Sequence, residues 1–372
     1  MVFLYAYRCR KAVRPLQELN PDRFDSPRIL RQLAIASRHL GQLNGEIHAI
    51  PNESILVSTL GLQESKESSE IENIVTTQDE IYRGDLDSEE LLSTAAKEVH
   101  RYRQALGVGA RLVRTTGLIT LNHICEIQST LIGSQEGIRT LPGTVLRNSQ
   151  GEVVYTPPQG HDEVLQHLKD LENFINDSSE IDLDPLIKMA LIHHQFESIH
   201  PFYDGNGRTG RILNILYLLK EDLLSIPVLY LSRPLMQNKA EYYRQLQAVR
   251  DHDAWEDWVE FMLRMVISSA LDGRLVVMNI KRSLLMTKHL IKQNHKFYSH
   301  DLINILFSHP YTKIEHLMKA LNVSRITASK YLEALTQSDI LTKVKIGRSN
   351  YYINHSLWQI LARGEQGQTE NA

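Results

Sequence analysis

Between positions 200 and 211 the chain reads His-Pro-Phe-Tyr-Asp-Gly-Asn-Gly-Arg-Thr-Gly-Arg. An imidazole, a carboxylate, a glycine-rich turn and two guanidiniums fall within twelve residues. His200 titrates near neutral pH and suits a base that takes a hydroxyl proton. Asp204 offers an oxygen ligand to Mg²⁺, which bridges phosphates with the help of one or two carboxylates. Gly205, Asn206 and Gly207 allow a backbone to approach phosphate oxygens without a side-chain clash. Arg208 and Arg211 add fixed charge and forked donors. Such a cluster holds a nucleotide's phosphates beside a group that must lose a proton.

The flanking pattern positions these groups. Residues 184–199 read as a helix, with Asp184 as N-cap and Pro185 at its first position. Leu186, Met189, Ala190, His193 and Phe196 recur at helical spacing. Pro201 ends that helix and leaves His200 at its C-terminal edge. A second helix is expected to start after Arg211, with Ile212, Leu213, Ile215, Leu216 and Leu219 as its apolar face. The glycine turn then feeds a helix N-terminus, whose unpaired N–H groups form an anion site. Gly205, Gly207 and Gly210 also fit G-x-G-x-x-G, but the dinucleotide fingerprint needs a preceding strand, and here a helix precedes. A plain glycine turn between two core helices is the bland alternative.

The run resembles the signature of Fic-domain proteins, H-x-F-x-[D/E]-G-N-G-R-x-x-R, at every fixed position. The resemblance implies transfer of AMP from Mg·ATP to a protein hydroxyl of Tyr, Thr or Ser. His200 would be the base and Asp204 the Mg²⁺ ligand. Gly205, Asn206, Gly207, Arg208, Thr209, Gly210 and Arg211 would surround the phosphates, with Arg211 on the γ-phosphate. It also implies that Tyr242, on a helix expected over residues 240–249, packs near the adenine; core packing is the alternative for this ring.

Two further segments extend the resemblance. Val153, Val154, Tyr155 and Thr156 favour a short strand after a turn at residues 148–151. This hairpin is similar to the Fic flap, whose exposed edge pairs with an extended target segment. Ser68-Ser-Glu-Ile-Glu72-Asn73 resembles the Fic inhibitory motif, [S/T]-x-x-x-E-[G/N]. Ser68 and Glu72 stand i, i+4 on one helix face. The resemblance implies that Glu72 pairs with Arg211 and blocks the γ-phosphate site.

Near the C-terminus, Ile314, Leu317, Met318 and Leu321 form one apolar stripe, and Ala328, Tyr331, Leu332 and Leu335 form the next. A turn at residues 322–324, with Ser324 as N-cap, makes a helix-turn-helix. Residues 340–354 alternate around a basic tip, which completes a pattern similar to a winged helix. Arg325, Thr327, Ser329, Lys330 and Arg348 are the expected DNA contacts. Residues 311–360 hold seven Lys/Arg and three Asp/Glu, a net charge of +4 by subtraction. That excess fits phosphate contact, although such folds also bind proteins.

The remainder of the chain bounds the reading. Its 372 residues carry a net charge of −3, with 42% hydrophobic and 23% charged residues, as in ordinary soluble proteins. That charge argues against wholesale coating of nucleic acid. Cys9 and Cys125 are too few for a disulfide framework and fit a cytoplasmic setting. Residues 2–7 are too short for a signal peptide, and no apolar run is long enough to span a membrane. P-loop, nucleophile-elbow and H-E-x-x-H patterns are missing. His193 and His194 lack the partners of a metal set, and His193, on the apolar helix face, reads as a core histidine.

The expected fold is mainly α: a Fic-type helical core with a β-hairpin flap, plus a small winged helix-turn-helix domain. The expected divisions are a helical extension with the inhibitory helix (1–98), the catalytic domain (99–270) and a helical linker (271–310). The winged helix (311–363) and a polar tail (364–372) follow. Gly273 is the expected break in the long helical stretch that enters the linker. Expected partners are a target protein, DNA and a second copy in a homodimer. Open alternatives are a DNA-binding regulator whose core only senses nucleotide, a phosphotransferase, and an enzyme that removes AMP.

Overall fold

The computed structural model describes residues 13–84, 86, 92–148, 150–177, 182–346 and 349–366. Helices come first: α1 (Pro27–Ile47), α2 (Ser54–Ile71), α3 (Gln78–Gly84), α4 (Thr94–Thr116) and α5 (Leu121–Ile132). A hairpin of β1 (Leu146–Arg147) and β2 (Val153–Tyr155) precedes α6 (His161–Asn176), α7 (Pro185–Ile199) and α8 (Asn206–Lys220). Then come α9 (Ser232–Gln237), α10 (Lys239–His252), α11 (Trp255–Asn294) and α12 (His300–Ser308). The chain closes with β3 (Tyr311–Thr312), α13 (Ile314–Leu321), α14 (Arg325–Gln337), β4 (Thr342–Ile346), β5 (Ser349–Ile353) and α15 (His355–Gln366). The mainly helical class expected from the sequence is the class observed.

The chain forms two compact units. The first holds Met1–Leu40, Gln104–Pro227 and Leu231–Ser268. Its centre is the α7–α8 pair. All residues of α7 from Leu186 to Ile199 are buried, so this helix is interior on every side. The caps on α7 are those expected: the Asp184 side chain accepts from Leu186 N–H at 2.8 Å, and Pro185 takes the first position. Packed on this pair, α5 starts with a capping box between Thr120 and His123 and stops at left-handed Gly133.

The second expected helix starts earlier than its apolar pattern suggests. It begins at Asn206, so Gly207 to Arg211 are helical residues and not a turn. The hairpin strand β2 ends at Tyr155, leaving Thr156 outside it. Asn148 builds the turn, its side-chain oxygen accepting from the N–H groups of Gln150 at 3.0 Å and Glu152 at 2.9 Å.

The second unit holds Gly41–Arg103, Val228–Tyr230 and Ser269–Ala372. Within it α13, a turn at left-handed Asn322 and α14 form the expected helix-turn-helix. Ser324 caps α14 by accepting from Thr327 N–H at 3.2 Å. The antiparallel β4–β5 hairpin follows, and β3, unseen in the sequence pattern, completes a sheet of order β3-β5-β4. Gly273 does not break its helix: α11 runs unbroken from Trp255 to Asn294. A Cβ at Gly273 would stand 3.3 Å from Leu43, so this glycine admits a close neighbour.

Candidate active site

The loop between α7 and α8 is built by its own side chains. His200 closes α7 in the left-handed region (φ 49°), its N–H bonded to Phe196 O at 3.0 Å. Asn206 then bridges the loop: its Oδ1 accepts from Phe202 N–H and its Nδ2 donates to Phe202 O, both at 2.8 Å. Gly205 takes φ 79°, and a Cβ there would strike Ile132 at 2.8 Å, so glycine is required twice over. The Gln128 amide of α5 donates to Asp204 O at 3.1 Å. The result sets His200 and the N-terminus of α8 at opposite ends of one short, pinned loop.

The sequence-derived residues divide once placed. Asp204 is open, its side chain 71% exposed. Its Oδ1 accepts from Gly205 N–H at 2.6 Å and lies 3.6 Å from Arg208 Nη2. Gly207 sits in the first turn of α8 and is half-buried. The first-turn amides of Asn206 and Gly207 have no partner within the helix and suit an anion. Arg208 and Arg211 are buried. The Asn206 carboxamide is committed to Phe202, which leaves its backbone N–H as the group open to an anion.

Three expectations are corrected. Thr209 is fully buried, with its hydroxyl enclosed, and does not reach an open site. Gly210 faces α7: a Cβ there would stand 2.6 Å from Glu197 Oε1 and 3.1 Å from Phe196. It is a packing glycine, because the early start of α8 turns this position inward. Tyr242 is a core ring, 2% exposed, its hydroxyl 2.9 Å from His193 Nε2 and its ring stacked on that imidazole. The exposed ring of the pair is Tyr243. His193 is buried as expected, and His194 beside it is buried too. Burial, helped by the charge of Arg211, lowers the His193 pKa to about 3.

Two positioning residues were missed in the sequence. Arg139 is 1% exposed. Its Nε donates to His200 O at 2.8 Å, and its Nη2 donates to Ile199 O at 3.3 Å and to Pro158 O. Its backbone N–H donates to Pro201 O at 3.0 Å, beside a bridge between Ile138 and Phe202. Burial pushes the Arg139 pKa down. Tyr203, inside the signature, accepts through its hydroxyl from the N–H groups of Thr140 at 2.9 Å and Leu141 at 3.1 Å. These contacts zip residues 138–141 onto the loop that carries His200. The only sequence signal was the arginine in Gly-Ile-Arg139-Thr beside the flap.

Val153 and Val154 of β2 are exposed. The Tyr155 hydroxyl donates to Ser198 O at 2.9 Å and ties the hairpin to α7. In the second unit, Ser68 is buried in α2, while Glu72 and Asn73 are exposed at its C-terminal end. Arg325 is exposed and pairs with Glu315 at 2.7 Å; Lys330 is exposed, and Thr327 and Ser329 are half-buried. Arg348 lies outside the described residues. Among the described residues no group of three or more His, Cys, Asp or Glu could hold a metal ion, and no helix is long and apolar enough to cross a membrane.

The loop lies within a region that matches a known family. A model of the Fic/DOC family matches residues 118–218. Residues 118–218 therefore carry a Fic domain. A Fic/DOC family N-terminal model matches residues 30–111. A model described as protein adenylyltransferase SoFic-like, C-terminal domain, matches residues 285–357. Protein adenylyltransferase fic-1 from Caenorhabditis elegans is 27% identical over 160 residues, covering 40% of this chain and 29% of that protein. The protein of that name from Caenorhabditis briggsae is 30% identical over 130 residues, covering 34% of this chain and 24% of that protein. The chain thus spans less than a third of these curated relatives. In fold, the Fic domain and its surroundings resemble a Fic family protein from Desulfovibrio desulfuricans G20. That likeness has a TM-score of 0.55 at 19% identity, covering 88% of this chain and 96% of the other.

Proposed function

We propose that this Fic domain transfers AMP from ATP to a hydroxyl side chain of a target protein. One observation carries the reading: His200 and the N-terminus of α8 are held at the two ends of a loop locked by Asn206 and Arg139. In this reading the target hydroxyl oxygen attacks the α-phosphorus. Its proton passes to His200, the bond from the α-phosphorus to the bridging oxygen breaks, and pyrophosphate leaves. The amides of Asn206 and Gly207 bind phosphate oxygens, and Arg208 and Arg211 supply the compensating charge. Fixed donors of this kind need no reorganisation as charge develops. In the same reading β2 at Val153 and Val154 aligns the target segment, and Tyr243, the exposed ring of α10, is the one free to meet the adenine.

Asp204 fits a Mg²⁺ ion that arrives with the nucleotide. It is exposed, only its Oδ1 is engaged within the described residues, and no cage of carboxylates surrounds it. Such an ion, when bound, neutralises phosphate charge. Glu72 is the restraint on the site through Arg211 in the same reading, and Ser68 and Asn73 set its helix end.

The test uses the purified chain, with ATP labelled separately at the α- and γ-phosphates. Protein-bound label from α alone, increased in Glu72→Gly and lost in His200→Ala, supports AMP transfer. Label from γ would instead establish phosphotransfer and overturn the mechanism.

A second activity is proposed for the C-terminal part. The winged-helix reading is supported by the β3-β5-β4 order and by Lys330, Lys343 and Lys345, all exposed on α14 and β4. A basic face of this kind suits DNA phosphates. Duplex binding that weakens steeply with salt and is reduced in Lys330→Ala supports it; salt-independent or undetectable binding overturns it.

A further inference from the structure

The second half of α2 carries almost no apolar side chains. From Gln63 to Ile71 the chain reads Gln-Glu-Ser-Lys-Glu-Ser-Ser-Glu-Ile, and only Ile71 is apolar. Yet Gln63, Glu64, Ser65, Ser68 and Ser69 are all buried. So little apolar area stabilises little, and polar contacts must fix this half of the helix. The Ser65 and Ser69 hydroxyls donate within the helix, to Gly61 O at 2.6 Å and to Ser65 O at 2.8 Å. Glu64 accepts from the Tyr102 hydroxyl of α4 at 3.2 Å. Gln63 reaches furthest along the chain. Its Nε2 donates to Leu361 O of α15 at 2.5 Å, and its Oε1 accepts from the Tyr230 hydroxyl.

The turn after α2 is fixed by its own bonds. Ser69 O accepts from Glu72 N–H at 3.0 Å and from Ile74 N–H at 3.1 Å, with Asn73 left-handed at φ 64°. Thr77 Oγ1 then accepts from Glu80 N–H at 3.2 Å at the start of α3. Beyond the turn, two adjacent residues meet the C-terminal part of the same unit. Gln78 Nε2 donates to the same Leu361 O at 3.3 Å. The Tyr311 hydroxyl of β3 donates to Asp79 Oδ1 at 2.5 Å. Burial, then the Asp79 carboxylate, pushes the Tyr311 pKa up, so this hydroxyl keeps its proton and stays the donor.

Gln63 stands before Glu72 in the chain, and Gln78 and Asp79 stand after it. Both sides of the turn are therefore tied to β3 and α15, the elements that flank the helix-turn-helix. Just before β3, α12 packs on α2. All of these residues belong to the second unit.

We propose that the C-terminal helix-turn-helix region holds the inhibitory turn: β3 and α15 fix α2 and α3 and thereby set where Glu72 stands. This rests on the reading of Glu72 as the restraint on the site. Loosening the hold frees the turn, and AMP transfer rises with no change at the nucleotide-binding residues.

The test compares the full chain with its Tyr311→Phe and Gln63→Met variants. Backbone hydrogen exchange is followed by mass spectrometry, and AMP transfer with α-labelled ATP. In Tyr311→Phe the amides of residues 60–75 should exchange about fivefold faster, the scale of one net hydrogen bond, while those of α7 and α8 keep wild-type rates. AMP transfer should rise by a similar factor. Gln63→Met should act in the same direction; if it does not fold, Tyr311→Phe decides. Lys319→Gln, exposed on α13, should change neither readout. In a Glu72→Gly background Tyr311→Phe should add no further transfer, because the restraint is already gone. Wild-type exchange over residues 60–75 in the folded variants overturns the hold. Equal acceleration in α7 and α8 overturns it too, since that marks a general loss of stability. Faster exchange without a rise in transfer, where Glu72→Gly does raise it, overturns the control of Glu72 and leaves the restraint standing. No rise in Glu72→Gly itself removes the restraint and the control together.

Discussion

Arg139 Nε donates to the carbonyl oxygen of His200 at 2.8 Å, across 61 residues of chain. A left-handed residue at a helix end leaves its own carbonyl outside the helix ladder, and a buried guanidinium satisfies it. Arg139→Ala should therefore lower stability by roughly 3 kcal/mol, since buried carbonyls lose their donors. In the labelled-ATP assay kcat should fall more than the KM for ATP rises, because the residue positions the base and does not touch nucleotide. Arg139→Lys should recover part of the stability. Wild-type kcat in a folded Arg139→Ala chain would remove Arg139 from this role.

Gly210 tests the packing reading of the last glycine in the 200–211 run. Gly210→Ala inserts a methyl 2.6 Å from Glu197 Oε1 and 3.1 Å from Phe196. Overpacking of this kind costs about 1–3 kcal/mol. Urea unfolding should show that loss while ATP affinity in the folded protein changes little. A large loss of ATP affinity with unchanged stability would return Gly210 to the phosphate site.

The buried histidines predict acid sensitivity. His193 in the folded chain titrates at about 3, against 6.5 for the exposed group, and His194 is shifted in the same direction. The unfolded chain therefore binds these protons first as pH falls. Stability from this source is whole above about pH 6.5 and is lost progressively below it. For His193 the loss levels off near pH 3. Each site contributes a slope of up to about 1.4 kcal/mol per pH unit within its window. Denaturant midpoints measured from pH 7 to pH 5 should fall, and less steeply in His193→Gln if that variant folds. A flat profile would show that neither ring is neutral and buried in solution.

Glu72→Gly should raise AMP transfer about tenfold or more, the scale of one charge-assisted hydrogen bond. ATP affinity should rise with it. If both stay at wild-type values, the inhibitory reading of residues 68–73 is wrong.

The helix ends were legible because caps are local. Asp184 and Pro185 start α7, Ser324 starts α14, and each is visible within a few residues of sequence. The signature was legible for the same reason: His200, Asp204 and the glycine turn sit on one short loop. Periodicity failed where burial has no polar side to contrast with. Nearly all of α8 is buried, so its pattern showed neither its true start at Asn206 nor which face meets α7.

The sequence by itself determined the groups available, an imidazole, a carboxylate and an amide-rich turn in a mainly helical chain. Tertiary structure alone decided which residues reach that chemistry. Thr209, Gly210 and Tyr242 went to the core, because helix–helix packing selects faces that local spacing does not encode. Arg139 and Tyr203 became the clamps on the His200 loop, because their partners are distant along the chain and adjacent only after folding.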